Sequence, residues 1–241
     1  MTEHKGVYVV LYCCRRFISL WLLTVILSVV FCCFPMTASC KAGSGQKKIL
    51  SRIKAVFEQP GLWQGDFVQE AHLPDVEEPV ISRGKVYFKI PDCMRWEFKE
   101  PDAQLLVSDG KRLWFYDASL QQVMIGEVAQ VTEARLMMHL LTNLEKLQDD
   151  YQVAVSESGD DPIVRVSLVP RAAEGEGRPF TTLQLFFDKQ TLKLVKSQLT
   201  DLFANEIIIS YSWKPPTENK LPAGFFSFVP PPGTEIVPLA Q

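Results

Sequence analysis

Apolar and polar residues alternate with a period of two along most of this chain. In the stretch GKVYFKIPDCMRWEFKEPDAQLLVSDGKRLWFYD, residues 84–117, Val86, Phe88 and Ile90 share one face of an extended segment. Met94, Trp96 and Phe98 share one face of the next, with Arg95, Glu97 and Lys99 opposite. Such alternation predicts half-buried antiparallel strands. Pro91-Asp92 breaks the pattern where the first pair must reverse, and Asp109-Gly110 does so between Leu105-Leu106-Val107 and Leu113-Trp114-Phe115-Tyr116. An Asp-Gly pair between two apolar runs is a strong hairpin signal. In the last of these runs either Trp114 or Phe115 can be the inward residue.

The same reading predicts strands over 63–71, 81–90, 121–128, 151–156, 163–169, 181–187, 192–199 and 205–213. The connection HLPDVEEP is an irregular loop, because its prolines and acidic residues oppose pairing. Two segments switch to helical spacing. Ile49, Ile53, Val56 and Phe57 form an apolar stripe that Pro60-Gly61 ends, after a flexible joint at residues 42–46. A second helix is predicted to open at Thr132-Glu133, where Thr suits the N-cap and Glu the positive helix end. It stacks Leu136, Leu140 and Leu144 beside Met137, Met138 and Leu141. The prolines of the last thirty or so residues preclude central strand pairing there. The chain is therefore mainly β, of the α+β class, with an antiparallel sheet and not a parallel α/β one.

At 241 residues and 47% hydrophobic composition, one well-filled domain is expected. Of the formal net charge of −3, Lys5, Arg15, Arg16 and Glu3 give residues 1–40 about +2 and leave about −5 for the rest. A nucleic-acid partner has no basic surface to meet. Phe17 to Phe34 is an uncharged apolar run behind Arg15-Arg16, followed by Pro35 and small residues, which makes residues 1–40 a secretory signal peptide and 41–241 the domain. An uncleaved anchor is the alternative, since the run is just long enough to span a bilayer. Thr37-Ala38-Ser39-Cys40 also bears on this boundary, because small residues before Cys mark acylated lipoproteins, although Thr stands where a large aliphatic is usual. Cys93 is the other cysteine beyond the leader, so cleavage after Cys40 would leave no intramolecular disulfide.

Catalytic chemistry finds little material. The histidines are His4, His72 and His139, and there is no nucleophile elbow, zincin motif, P-loop or dinucleotide fingerprint. Cys93, read as part of a hairpin turn, has no adjacent His or Lys to lower its pKa. Asp149-Asp150 and Asp160-Asp161 are neighbours that would point to opposite faces of a strand. Asp75, Glu77 and Glu78 match no calcium-loop spacing. No enzyme activity, metal or cofactor is expected. What stands out is an aromatic surplus on strands: Trp63, Phe67, Phe88, Trp96, Phe98, Phe115, Phe186, Phe187 and Trp213. In a closed small barrel such residues fill the interior.

The order Arg95-Trp96-x-Phe98, Pro101, QLLVSDGK at 104–111 and LWFYD at 113–117 resembles the LolA family of periplasmic lipoprotein carriers. The resemblance continues through Leu120-Gln121-Gln122-Val123 and returns in Phe226-Ser227-Phe228-Val229-Pro230-Pro231 with Gly233, so it covers nearly everything after the leader. It implies an unclosed half β-barrel with helices covering the concave face. Lipoprotein acyl chains would be shielded in a hydrophobic cavity during passage from the inner to the outer membrane. Phe67, Phe88, Ile90, Trp96, Phe98 and Phe115 would line it, with Met137 and Leu140 in its cover. The implied partners are acylated lipoproteins, an ATP-driven inner-membrane exporter (LolCDE-like) that loads the carrier and an outer-membrane receptor (LolB-like) that unloads it. The carrier itself is expected to be monomeric.

Two other readings share the fold. A LolB-like receptor is itself lipid-anchored, which Cys40 keeps open. A regulatory sensor that binds an anti-sigma factor normally has a second domain, for which this chain ends too soon. One position departs from the carrier pattern. A basic residue immediately before the strand-ending proline, Pro91 here, latches the lid in the family, and this chain has Ile90. Lys89 would face the other way, and Arg95 could substitute only if a bulge re-aims it. Ile90 is thus expected as an apolar cavity wall, with the lid held by hydrophobic contact.

Overall fold

In the computed structural model of the chain, the period of two folds into a single sheet of twelve strands among the described residues. The structure describes residues 44–57, 61–90, 92–128, 147–157, 159, 161–172, 180–215 and 221–239. The first six strands are β1 (Leu62–His72), β2 (Val80–Lys89), β3 (Cys93–Glu100), β4 (Gln104–Ser108), β5 (Arg112–Asp117) and β6 (Gln122–Glu127). They form consecutive antiparallel hairpins. The chain resumes at the opposite edge with a short helix, α2 (Leu147–Asp150), after the long helix α1 (Ser44–Phe57) that precedes β1. It then returns through β7 (Tyr151–Glu157), β8 (Ile163–Pro170), β9 (Thr182–Asp188), β10 (Leu194–Thr200) and β11 (Glu206–Trp213). There β11 pairs with β1, placing Phe67 opposite Tyr211.

The two edges, β7 and β12 (Glu235–Pro238), lie at opposite ends of the strand order, so the sheet is an unclosed barrel. Among the described residues all ladders are antiparallel except the one in which β12 runs parallel to β6. That strand was not anticipated. Its position agrees with the proline rule all the same, because a four-residue edge strand ending in Pro238 loses no ladder bond in the sheet centre.

Local chemistry fixes the turns. Asp109 Oδ1 accepts hydrogen bonds from the Lys111 and Arg112 backbone N–H groups, and Ser108 Oγ accepts from Gly110. Gly110 has φ +92°, and a side chain there would come within 2.6 Å of Asp92 Cβ in the neighbouring turn. Only glycine meets both conditions. Asp188 in the same way binds the Thr191 N–H and hydroxyl. Leu192 takes φ +55° in that turn, which delays the start of β10 to Leu194 instead of 192.

The remaining strand ends fall within two residues of expectation, with Ile90 in the turn after β2 rather than in the strand. Helix α1 begins at Ser44, so residues 44–46 of the expected flexible joint are helical. Gln46 Nε2 donates to the Val153 carbonyl of edge strand β7 and ties the helix start to the sheet. The expected second helix around Leu136 and Leu140 lies outside the described residues.

Candidate lipid-binding face

Helix α1 lies on one face of the sheet, here called inner, and buries Leu50, Ile53 and Phe57 against it. These positions recur at three and four residues, the spacing that keeps side chains on one helical face. Strands β1, β2 and β3 present Phe67, Val86, Phe88, Met94 and Trp96 to the same cluster. The returning arm adds Val164, Val166, Leu168, Leu183, Leu185, Phe187 and Tyr211.

Aromatic rings form a continuous track through this cluster. The Phe67 ring centroid lies 4.8 Å from Trp96 and 5.0 Å from Phe98. Trp96 lies 6.1 Å from Phe88 and from Tyr211, and Phe88 is 6.1 Å from Trp213. Trp213 continues to Trp63 at 5.8 Å, which stacks on Phe57 of α1 at 5.3 Å. Phe57 then meets Phe187 edge-on at 6.2 Å. Such offset and edge contacts add about 0.5–1.5 kcal/mol per pair beyond the area they bury.

Gly84 makes room for this track. It stands between Phe67 and Phe98 across the ladders, at the irregularity in the β2–β3 register. A Cβ there would lie 2.0 Å from the Glu97 carbonyl oxygen and 2.8 Å from the Phe67 ring. Sequence reasoning passed over this residue. The available signal was a glycine inside an alternating strand, which marks a bulge or a close approach.

The polar groups buried here are satisfied internally. Ser197 and Tyr211 share a hydrogen bond of 3.0 Å, and burial pushes the Tyr211 phenol well above its ordinary range. The Trp213 indole N–H donates to the Leu194 carbonyl. For Asp117, burial pushes the carboxyl upward, but hydrogen bonds from Ser119, Gln104 and the Leu120 backbone outweigh it and leave the group below its usual value. This carboxylate organises the β5–β6 turn. The face offers apolar contact first, with hydroxyls as its chief polar content.

Of the residues predicted from sequence, Phe67, Phe88 and Trp96 are buried together, and Phe98 packs on them half-buried. In β5 the structure distinguishes the two aromatic candidates. Trp114 is buried on the outer face with Val107 and Val123, whereas Phe115 alternates with it and shares the side of Leu113, which joins the inner cluster. Ile90 is half-buried in the turn after β2, while Met137 and Leu140 lie outside the described residues. Phe186 corrects the aromatic list. Its ring lies on the outer face between Arg165 and Lys196, each about 5.1 Å from its centroid, because its neighbour Phe187 takes the inward position.

Arg95 also points outward. It pairs with Glu97 at 2.6 Å, donates to the Phe225 carbonyl at 3.1 Å and sits 4.8 Å over the Phe225 ring. The register irregularity of β2–β3 lies at Arg83/Gly84, so no bulge re-aims Arg95 toward the inner face. Cys93 is the first residue of β3 rather than part of the turn, and burial pushes its thiol up, away from the reactive thiolate. Among the described residues no group of three His, Cys, Asp or Glu side chains is placed to hold a metal.

Comparison with known proteins places this geometry in context. The family model described as outer membrane lipoprotein carrier protein LolA matches residues 62–229. The outer-membrane lipoprotein carrier protein of Methylibium petroleiphilum is 28% identical over 199 residues, which cover 81% of this chain and 92% of the relative. That of Chromobacterium violaceum is 27% identical over 211 residues, covering 85% and 97%. Among solved structures, a LolA superfamily protein from Nitrosomonas europaea is similar with a TM-score of 0.42 at 14% identity, over 76% of this chain and 97% of that one.

Proposed function

Because the chain belongs to the LolA family of outer-membrane lipoprotein carriers, we propose that it carries acylated lipoproteins through the periplasm from the inner to the outer membrane. The acyl chains are held against the inner face, at Phe67, Phe88, Trp96, Phe98 and Phe115, with Ile90 at the rim and Met137 and Leu140 in the cover. The observation that supports this reading best is the aromatic track on a sheet whose edges do not meet. An unclosed interior can widen without breaking a ladder of hydrogen bonds.

Energetics shape the mechanism. Moving a 16-carbon acyl chain from water into an apolar site is worth roughly 12 kcal/mol, at about 0.8 kcal/mol per methylene. Capture from water would therefore be nearly irreversible. Transfer from a bilayer to the carrier, and from the carrier to another apolar site, exchanges one apolar environment for another and has a small net free energy. An ATP-driven exporter of the inner membrane supplies the loading work, and a receptor of slightly higher affinity at the outer membrane unloads the chain. The protein's part is binding, not catalysis.

Residues 1–40 act as the export signal, and the mature domain begins close to Cys40. The test is to purify the periplasmic form and identify what accompanies it by mass spectrometry. Acylated lipoproteins are expected to co-purify, and their absence from protein isolated under native conditions would overturn the carrier reading. The same spectrum addresses the receptor alternative, since a mature N-terminus at an acylated Cys40 would mark a lipid-anchored receptor.

A further inference from the structure

The end of the sheet where β1 turns into β2 and β10 turns into β11 carries an apolar surface that the carrier reading does not use. Leu202 and Phe203, adjacent at the tip of the β10–β11 turn, are 50% and 54% exposed. Turns ordinarily select Gly, Asn, Asp, Ser or Pro at such positions. This turn is nevertheless rigid. Asp201 Oδ1 accepts from the Phe203 and Asn205 N–H groups at 2.8 and 2.9 Å, its other oxygen accepts from Asn205 Nδ2 at 2.7 Å, and Ala204 is held at φ +61°. Thr181 Oγ1 donates to the Asp201 carbonyl from the neighbouring connection.

The β1–β2 turn lies beside it. His72 at the end of β1 is opposite Glu206 at the start of β11, so the two turns project from the same end of four adjacent strands. With strands about 4.8 Å apart, the two hairpins are centred about 10 Å from one another. The second turn adds exposed Val76 and Val80 together with the exposed carboxylates Asp75, Glu77 and Glu78. Neither 73–82 nor 197–206 contains a lysine or arginine. Four apolar side chains are thus presented at this end of the sheet, two of them on the hydrogen-bonded β10–β11 turn, within an acidic surround.

We propose that this end of the sheet is a docking surface for a protein, one that offers an apolar recess rimmed by lysine or arginine, and that this protein is the membrane receptor to which the carrier delivers lipoprotein. Charge decides the occupant. Anionic bilayer surfaces repel exposed carboxylates, whereas a basic-rimmed protein gains from them in encounter rate and orientation. Leu202 and Phe203 supply the contacts that exclude water, and Asp75, Glu77 and Glu78 steer. The ten-residue strand β2 separates the β1–β2 turn from the β2–β3 turn at its other end, so docking here leaves the rim near Ile90 unobstructed. The proposal rests on the carrier reading.

The experiment loads the full-length mature protein with a fluorescently labelled acylated lipoprotein. Transfer is then followed to native membrane vesicles and to protein-free vesicles of phosphatidylethanolamine and phosphatidylglycerol. Leu202→Ser/Phe203→Ser should load like wild type but deliver to native membranes about thirtyfold more slowly, the size of a lost interface hot spot. Glu77→Lys/Glu78→Lys should slow delivery severalfold and flatten its dependence on salt. Circular dichroism of both variants should match wild type, because the substituted side chains are exposed. Delivery by Leu202→Ser/Phe203→Ser at the wild-type rate would overturn the proposal. So would wild-type delivery to protein-free vesicles that this variant loses, since the occupant would then be lipid. If the wild type takes up no acylated lipoprotein, the carrier reading falls and the docking partner with it.

Discussion

The two arms of the sheet bury their side chains differently. In β8 the buried residues are Val164, Val166, Leu168 and Pro170, while Arg165 between them is exposed, so one face meets the core and the other meets solvent. In β5 both Leu113 and Trp114 are buried, and they belong to different clusters. The cause is the C-terminal segment. It crosses the outer face of the first arm, where Phe225 packs on Tyr87 and Phe228 on Tyr116, before β12 extends the edge at β6. Val107, Trp114 and Val123 thereby form a second, smaller core beneath it. Among the described residues, one arm is covered on both sides and the other on the inner side alone.

The largest break in that comparison is on the inner face. Trp96 is buried against Phe67, Phe88, Phe98 and Tyr211, so the proposed binding surface and the core coincide there. Trp96→Asp would leave a cavity and an unpaired carboxylate, at a cost of at least about 4 kcal/mol. Urea unfolding should show that loss together with weakened binding of a fluorescent fatty acid. A variant as stable as wild type would mean that Trp96 is not packed as the structure has it.

Trp114→Ala isolates the outer core. The expected cost is about 3 kcal/mol of stability, while fatty-acid affinity measured well below the unfolding midpoint stays at the wild-type value. Loss of affinity alongside stability would show that the two faces of the arm are coupled and that the outer core shapes the inner one.

These two residues also show what the sequence made legible. Alternation is clean where polar residues keep to one face, as Lys85, Arg95 and Glu97 do, so Val86, Phe88, Met94 and Trp96 could be assigned to apolar faces from spacing alone. The Leu113–Tyr116 run is apolar throughout because both faces are covered, and periodicity cannot orient a strand buried on both sides. What covers the outer face lies more than a hundred residues away in Phe225 and Phe228, a pairing that no local pattern contains. Gly84 was missed for a related reason, since its role is to admit the Phe67 ring from a neighbouring strand. Of Phe186 and Phe187, adjacent in β9, only one can point inward, and composition could not say which.

Arg95→Ala sharpens the comparison by loosening the covering segment while leaving both cores intact. It removes the hydrogen bond to the Phe225 carbonyl and the contact with the Phe225 ring. A loss of about 1–2 kcal/mol follows from a charge-assisted hydrogen bond and one cation–π contact. Hydrogen exchange should quicken in β12 and at Trp114 but not in β8 or β9. Equal quickening in both arms would mean that the segment stabilises the sheet as a whole.

The smallest expected change in stability is at the rim of the inner face. Ile90 sits half-buried in the turn after β2, two residues beyond inward-facing Phe88, and we propose that it lines the rim on that side. Lys89 is exposed and belongs to the opposite face, while Arg95 is committed to Glu97 and Phe225 on the outer side. Neither Lys89 nor Arg95 is therefore placed to supply the polar latch that the family pattern puts before the proline, and we propose apolar closure at this point of the rim. Ile90→Arg adds a long cation whose stem can follow the rim while its head reaches water, so global stability should move by less than about 0.5 kcal/mol. What changes is the balance between empty and loaded states. A hydrogen bond available only when the cover is closed favours the empty carrier by about 1 kcal/mol, which corresponds to roughly fivefold weaker retention of lipoprotein and faster delivery to the receptor. Loading and delivery both at wild-type levels would show that residue 90 does not touch the cover, and the apolar closure argued for this carrier would have to be sought elsewhere along the rim.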